Sequence, residues 1–340
     1  MVGRNYVVRG TRVVVCIAVI ISVFYLYLPT RENRIERMNA TVGENHIDIL
    51  CIGSSHMTSG VNPIQMYTDY GYAAYIVAGG AQAPWQNYYY LKEALETQTP
   101  SIVILDVYKF GSDQTGNSYK DSDTINNMLD TPLSMGKIAS VCESVANNKL
   151  DVILRFPYIY NDYESISGIT VDKFYGNIDY SMGYSFSDYI ETGESGYYNK
   201  VDARDVSESM EISTKNEYYL RKIIEFCNER DIDIILINAP WPAIQYESQM
   251  YFNYIATVAE QYGVPFIDGD MLWNELEMDW TTDSSGNYGH LNHFGVTKFT
   301  SYVERYIHDN YNLPDRRNDD KYVVYSFGSD WLDKVLENKS

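Results

Sequence analysis

The apolar positions of this chain fall into three regimes. Between Val13 and Leu28 (VVVCIAVIISVFYLYL) they run on without a charge, and Ser22 is the one polar side chain. A helix on a water-facing surface needs a polar stripe, and this run has none. At about 1.5 Å per residue it falls somewhat short of a ~30 Å hydrocarbon core, and flanking residues would complete the span. From His46 the pattern changes to short, β-branched runs: HIDILCIG, then Ala73–Val77, then Ser101–Tyr108 (SIVILDVY). Such continuous apolar runs predict strands covered on both faces, as in a parallel sheet. Trp85–Thr97 (WQNYYYLKEALET), between the second and third, has helical spacing. Strand, helix and strand at this pitch predict a βαβ unit.

The regularity then lapses. Residues 110–215 are rich in Asp, Ser, Asn, Tyr and Gly, with one helical stretch near Ser134–Val145. We read them as an insertion or cap. The alternation resumes with a helix at Glu217–Arg230, a strand at Asp233–Asn238 (DIILIN), a helix at Tyr251–Gln261, a strand at Pro265–Asp268 and a closing helix at Val296–Asp309. The expected organisation is an anchor at 1–29, a polar linker or juxtamembrane helix at 30–45, one α/β domain at 46–312 and a charged tail at 313–340.

The first apolar run has a rival reading as a cleaved signal peptide. It ends YLYLPTREN, with large aromatic residues where a cleavage site needs small ones. An uncleaved single-pass anchor is therefore expected. Arg4, Arg9 and Arg12 precede it, but Arg31, Arg34 and Arg37 follow closely. The positive-inside rule thus pushes only weakly toward a cytoplasmic N-terminus and an extracytoplasmic domain.

Charge narrows the partners. Lys and Arg number 26 against 46 Asp and Glu, a net charge of -20. Nucleic acids and anionic membrane surfaces need a basic face, so neither is an expected ligand. The four cysteines, Cys16, Cys51, Cys142 and Cys227, form neither a disulfide framework nor a zinc-type CxxC pair. Tyrosines number 33 and cluster at Tyr88-Tyr89-Tyr90 and Tyr158-Ile159-Tyr160. They suit either a sugar-binding wall or ordinary core filling. No cofactor is expected, and the oligomeric state is left open.

Two motifs carry candidate chemistry. Gly53-Ser54-Ser55-His56 ends the first strand, and ligands of an open parallel sheet bind beyond the carboxyl ends of its strands. A serine there either attacks a substrate or caps the following helix. The second motif is Gly289-His290-Leu291-Asn292-His293-Phe294-Gly295, preceded by Asp279-Trp280-Thr281-Thr282-Asp283. Lying between the last strand and last helix, it should return to the same sheet edge and supply His290 as base. A metal site built from His290, His293, Asp283 and His56 is the rival chemistry.

These motifs resemble the SGNH (GDSL-like) hydrolase superfamily, in particular its membrane-anchored branch. That branch includes the D-alanine-transfer proteins of teichoic acid synthesis and the acetyltransferase-like proteins of exopolysaccharide pathways. Gly53-Ser54-Ser55 matches the family's Gly-Asp-Ser block with serine in place of aspartate, which makes Ser55 rather than Ser54 the nucleophile. His290-Leu291-Asn292 and Gly295 match its last block, which runs on into Lys298-Phe299-Thr300. The resemblance covers roughly residues 46–310 and implies a three-layer, flavodoxin-like parallel sheet. It also implies a serine esterase or acyltransferase acting on an acylated cell-surface glycan or related ester. The oxyanion hole would use the Ser55 and Gly80 N–H groups.

Beyond that serine, the chain departs from the pattern twice more. The acid position three residues before the histidine holds Asn287 instead of aspartate, so either Asn287 or Asp283 orients His290, or Ser55 and His290 work as a dyad. The Gly-x-Asn-Asp block is missing, with Asp106-Val107-Tyr108 at that strand end. The usual asparagine donor is therefore absent, as the transferase-like branch tends to show. A catalytically inert scaffold that binds glycans or partners is the competing expectation.

Overall fold

The computed structural model describes residues 11–16, 18–19, 33–111, 121–129, 131, 133–144, 149–154, 178–190, 201–241, 245–285 and 289–337. Its centre is a parallel sheet of β1 (Ile49–Gly53), β2 (Ala74–Ala78), β3 (Ile102–Asp106), β4 (Asp233–Asn238) and β5 (Phe266–Asp268) in the order β2-β1-β3-β4-β5. The chain order reverses direction between β1 and β3, which places a crevice at the carboxyl ends of those two strands.

Why the strand runs are uniformly apolar is visible in the core. Leu50, Ile52, Val103, Leu105 and Leu236 point to one side, and Ile49, Cys51, Ile104, Ile235 and Ile237 to the other. Both faces are covered, so both registers of each strand must be apolar. Between the strands run α2 (Ser55–Thr58), α3 (Pro63–Tyr70) and α4 (Pro84–Ala94), and later α8 (Thr214–Asn228) and α9 (Tyr246–Tyr262). The helix α11 (His293–Asn310), which follows a single turn of helix, α10 (Gly269–Leu272), covers the second face with Val296, Phe299, Val303 and Ile307. The architecture is a three-layer α/β sandwich.

Two expected boundaries move. The segment read as a linker or juxtamembrane helix forms α1 (Arg34–Val42), a helix whose Ile35, Met38 and Val42 are buried in the core. Its apolar residues recur at i, i+3 and i+7, a stripe that its polar composition obscured. The tail is also part of the domain. Arg316 holds the buried Asp48 carboxylate at 2.7 Å, and α12 (Val323–Glu337) buries Tyr325 completely. The insertion contributes α5 (Asp121–Leu129), α6 (Met135–Ser144) and α7 (Lys149–Leu154). Residues 178–190 run along the exposed edge of the sheet, where the Ile76 N–H donates to the Met182 carbonyl at 2.9 Å. An unpaired edge strand would otherwise invite another chain.

Among the described residues no helix is long and apolar enough to cross a membrane. Of the apolar run Val13–Leu28, residues 17 and 20–28 lie outside the described residues. Within the rest, Val13, Val14, Val15 and Val19 are exposed.

Candidate active site

The turn from β1 into α2 gives its two serines different work. Ser54 is buried and is the N-cap of α2, its Oγ accepting from the His56 N–H at 3.2 Å. The same hydroxyl donates to Asp106 Oδ2 at 2.6 Å, and the Ser54 N–H donates to that oxygen at 2.9 Å. Asp106, at the end of β3, also accepts from the Tyr108 N–H at 2.9 Å. Burial pushes the Asp106 carboxyl upward, and these hydrogen bonds from Ser54 and Tyr108 oppose the push. Gly53 is required by the closeness of this contact, because a Cβ there would stand 2.4 Å from Asp106 Cβ. Ser54 is thus a structural cap, which leaves Ser55 with a hydroxyl directed elsewhere.

That hydroxyl meets His290. Ser55 Oγ and His290 Nε2 are 2.8 Å apart, within hydrogen-bond reach. The loop between β5 and α11 holds the histidine by its backbone. The Ser285 N–H donates to the His290 carbonyl at 3.0 Å, and the Ser284 and Ser285 hydroxyls donate to it at 3.3 and 3.2 Å. Gly289 adopts φ of 78°, and a Cβ on it would lie 1.9 Å from Trp241 Nε1. Asn292 caps α11 through the Phe294 and Gly295 N–H groups at 3.0 and 3.2 Å, while its Nδ2 ties back to the Thr282 carbonyl at 2.6 Å. Asn292 therefore secures the loop that carries His290.

Asp283 is placed otherwise than the orienting role requires. Its buried carboxylate accepts from Lys298 Nζ at 2.7 Å, the Asp279 N–H at 2.8 Å and Thr282 Oγ1 at 3.0 Å. None of its hydrogen bonds runs to His290; it clasps its own loop to α11. Asn287 lies outside the described residues. His293 faces the insertion, with Nδ1 3.3 Å from the Tyr184 hydroxyl and its ring against Phe186. Burial lowers its pKa. Among the described residues no group of three or more His, Cys, Asp and Glu side chains is gathered as metal ligands.

Gly80 stands just beyond β2, whose Ala78 is in register with Gly53. It is exposed, and nothing lies within 4 Å of where its Cβ would be. Among the described residues neither its N–H nor that of Ser55 has a hydrogen-bond acceptor. The turn is braced from outside the sheet. Asn127 Nδ2 donates to the Gly80 carbonyl at 3.0 Å, and Arg34 reaches Asn127 Oδ1 and Gln82 Oε1 at 2.9 and 2.8 Å. Arg34, which counts as a flanking charge in the sequence, is here a brace for the candidate oxyanion turn.

Three aromatic rings gather beside the pair: His56 and Tyr108 from the two strand ends, and Trp241, which neither motif contains. His56 stacks on Tyr108 with ring centroids 3.4 Å apart and planes at 17°. It lies 4.8 Å from the His290 ring and meets the Trp241 ring edge to face at 6.2 Å. Trp241 in turn is 5.3 Å from Tyr108. Fold and site together define an α/β protein with a serine–histidine pair in the crevice of a parallel sheet.

No family model and no curated protein matches the chain. Among solved structures, one described as a lipolytic protein of the G-D-S-L family from Desulfitobacterium hafniense DCB-2 is similar at 12% identity and a TM-score of 0.38. The match covers 76% of this chain and 97% of that one. So loose a likeness carries no functional weight.

Proposed function

We propose that this chain is a serine esterase or acyltransferase, with Ser55 as nucleophile and His290 as general base. The observation that supports it is the 2.8 Å contact between Ser55 Oγ and His290 Nε2 at the carboxyl edge of β1. A hydroxyl becomes nucleophilic when a positioned base takes its proton as the new bond forms. Ser55 Oγ adds to the ester carbonyl carbon, its proton passes to His290 Nε2, and the carbonyl π pair moves onto oxygen. The Ser55 and Gly80 N–H groups stabilise that oxyanion. Collapse expels the alcohol, which takes the proton back from His290 and leaves an acyl-Ser55. Water or a sugar hydroxyl then attacks the acyl group with His290 again as base, giving hydrolysis or transfer.

With Asp283 engaged by Lys298, we assign the orienting of His290 to Asn287, on its sequence register alone. The substrate class we infer is an acylated cell-surface glycan, on the resemblance of the two motifs. We place the domain outside a membrane, anchored by the Val13–Leu28 run; the exposure of Val13, Val14, Val15 and Val19 supports an apolar surrounding for that segment.

The test is hydrolysis of a chromogenic acetate ester by carbonate-washed membranes carrying the full chain. Ser55→Ala and His290→Ala should each lower kcat/KM by about a thousandfold or more. Equal rates for the wild type and Ser55→Ala would favour a non-catalytic glycan-binding scaffold. Activity left in the wash supernatant would remove the anchor.

A further inference from the structure

The candidate oxyanion site has main-chain donors on its β1 and β2 sides, Ser55 and Gly80. From β3 it receives none, because the strand continues into Asp106-Val107-Tyr108 and the Asp106 carboxylate faces Ser54. Two residues beyond β3, the Tyr108 ring stacks on His56.

His56 is the residue after the nucleophile, in the first turn of α2, so its ring is carried by the same turn that presents Ser55. It is 4% exposed, wedged between Tyr108 and His290. Its backbone N–H caps onto Ser54. Among the described residues neither of its ring nitrogens has a hydrogen-bond partner. Neither nitrogen is among the fully buried polar atoms left without a partner, so the ring keeps a small accessible edge. An accessible imidazole edge beside His290 is placed to take its hydrogen-bond partner from the substrate.

We propose that His56 is a further catalytic residue, donating an imidazole N–H to the oxyanion in place of the donor that β3 does not supply. The role rests on the Ser55–His290 esterase reading. A neutral imidazole suits it, since it keeps one N–H and does not place a second positive charge beside the imidazolium that forms at His290. Burial, the charge on His290 and that on Lys109 all hold the His56 pKa well below its usual value. Tyr108 then serves to fix the plane of the His56 ring.

A ring that merely fills space makes a different prediction from a ring that donates. Phenylalanine keeps the aromatic stack and loses the N–H; glutamine keeps an N–H and loses the stack. With the full chain and the chromogenic ester, His56→Phe should lower kcat about a hundredfold, as removal of one oxyanion donor does, with KM changed only a few-fold. His56→Gln should stay within about tenfold of wild type. Thermal melts establish that both variants are folded, and His56→Leu against His56→Asn reads the same contrast should either be unstable. Wild-type kcat in His56→Phe, or a loss in His56→Gln as deep as in His56→Phe, would overturn the proposal. Failure of the wild type itself to turn over ester would instead bring down the esterase reading, and the role of His56 with it.

Discussion

At the scale of single residues, the site is set by which groups are already engaged. Ser54 and Ser55 are indistinguishable as residue types, and the resemblance alone favours the second. The structure adds the physical reason: Asp106 binds both the N–H and the hydroxyl of Ser54, and only Ser55 reaches His290. Trp241 was not legible as a site residue, and His56, Asp106 and Tyr108 were legible by place but not by the contacts they make. Their relevance depends on strand ends that adjoin only in the folded sheet, and no spacing along the chain records that. Asp283 shows the converse, a carboxylate well placed in sequence but drawn by Lys298 to the loop's outer clasp. Gly289 has a role that a single substitution exposes. Alanine there meets both a left-handed backbone and the Trp241 indole, and such positions tolerate L side chains poorly. Gly289→Ala should lower the melting temperature and reduce kcat/KM by about tenfold or more. An unchanged melt with unchanged kinetics would show that the His290 loop is not held this way.

At the scale of elements, the strands and most helices are predicted within a few residues because their periodicity is strong. β4 matches its predicted bounds, Asp233–Asn238. The misjudged pieces are α1 and α12, where charged residues dilute a narrow apolar stripe and the partner surface is remote in sequence. A further consequence belongs to the joint between α3 and α11, the helices that follow the two candidate motifs. Gln65 Nε2 donates to Glu304 Oε1 at 3.2 Å, while buried Glu304 Oε2 has no partner. Burial and the Asp69 charge raise the Glu304 pKa from 4.5 to about 8. The folded state therefore favours the protonated carboxyl. Its stabilising contribution is complete below the unfolded pKa near 4.5 and is lost as pH climbs through the window to about 8. Urea midpoints of the wild type should fall across that window, and Glu304→Gln should flatten the fall. Parallel curves for the two proteins would refute the assignment.

At the scale of the whole molecule, the five parallel strands, the crossover between β1 and β3, and the two loops that converge there explain why residues 235 positions apart meet. A chain of net charge -20 is poorly suited to polyanionic ligands. Among the described residues, 178–190 line the β2 edge of the sheet and the tail packs beside it through Arg316. Central to the account is that Ser55 is an activated nucleophile. The most direct measurement is covalent capture of the full chain by a fluorophosphonate, with the adduct mapped by peptide mass spectrometry. One adduct is expected, on Ser55, absent in Ser55→Ala and strongly slowed in His290→Ala. A folded wild-type protein that gains no adduct, or that carries it on another residue, would contradict it.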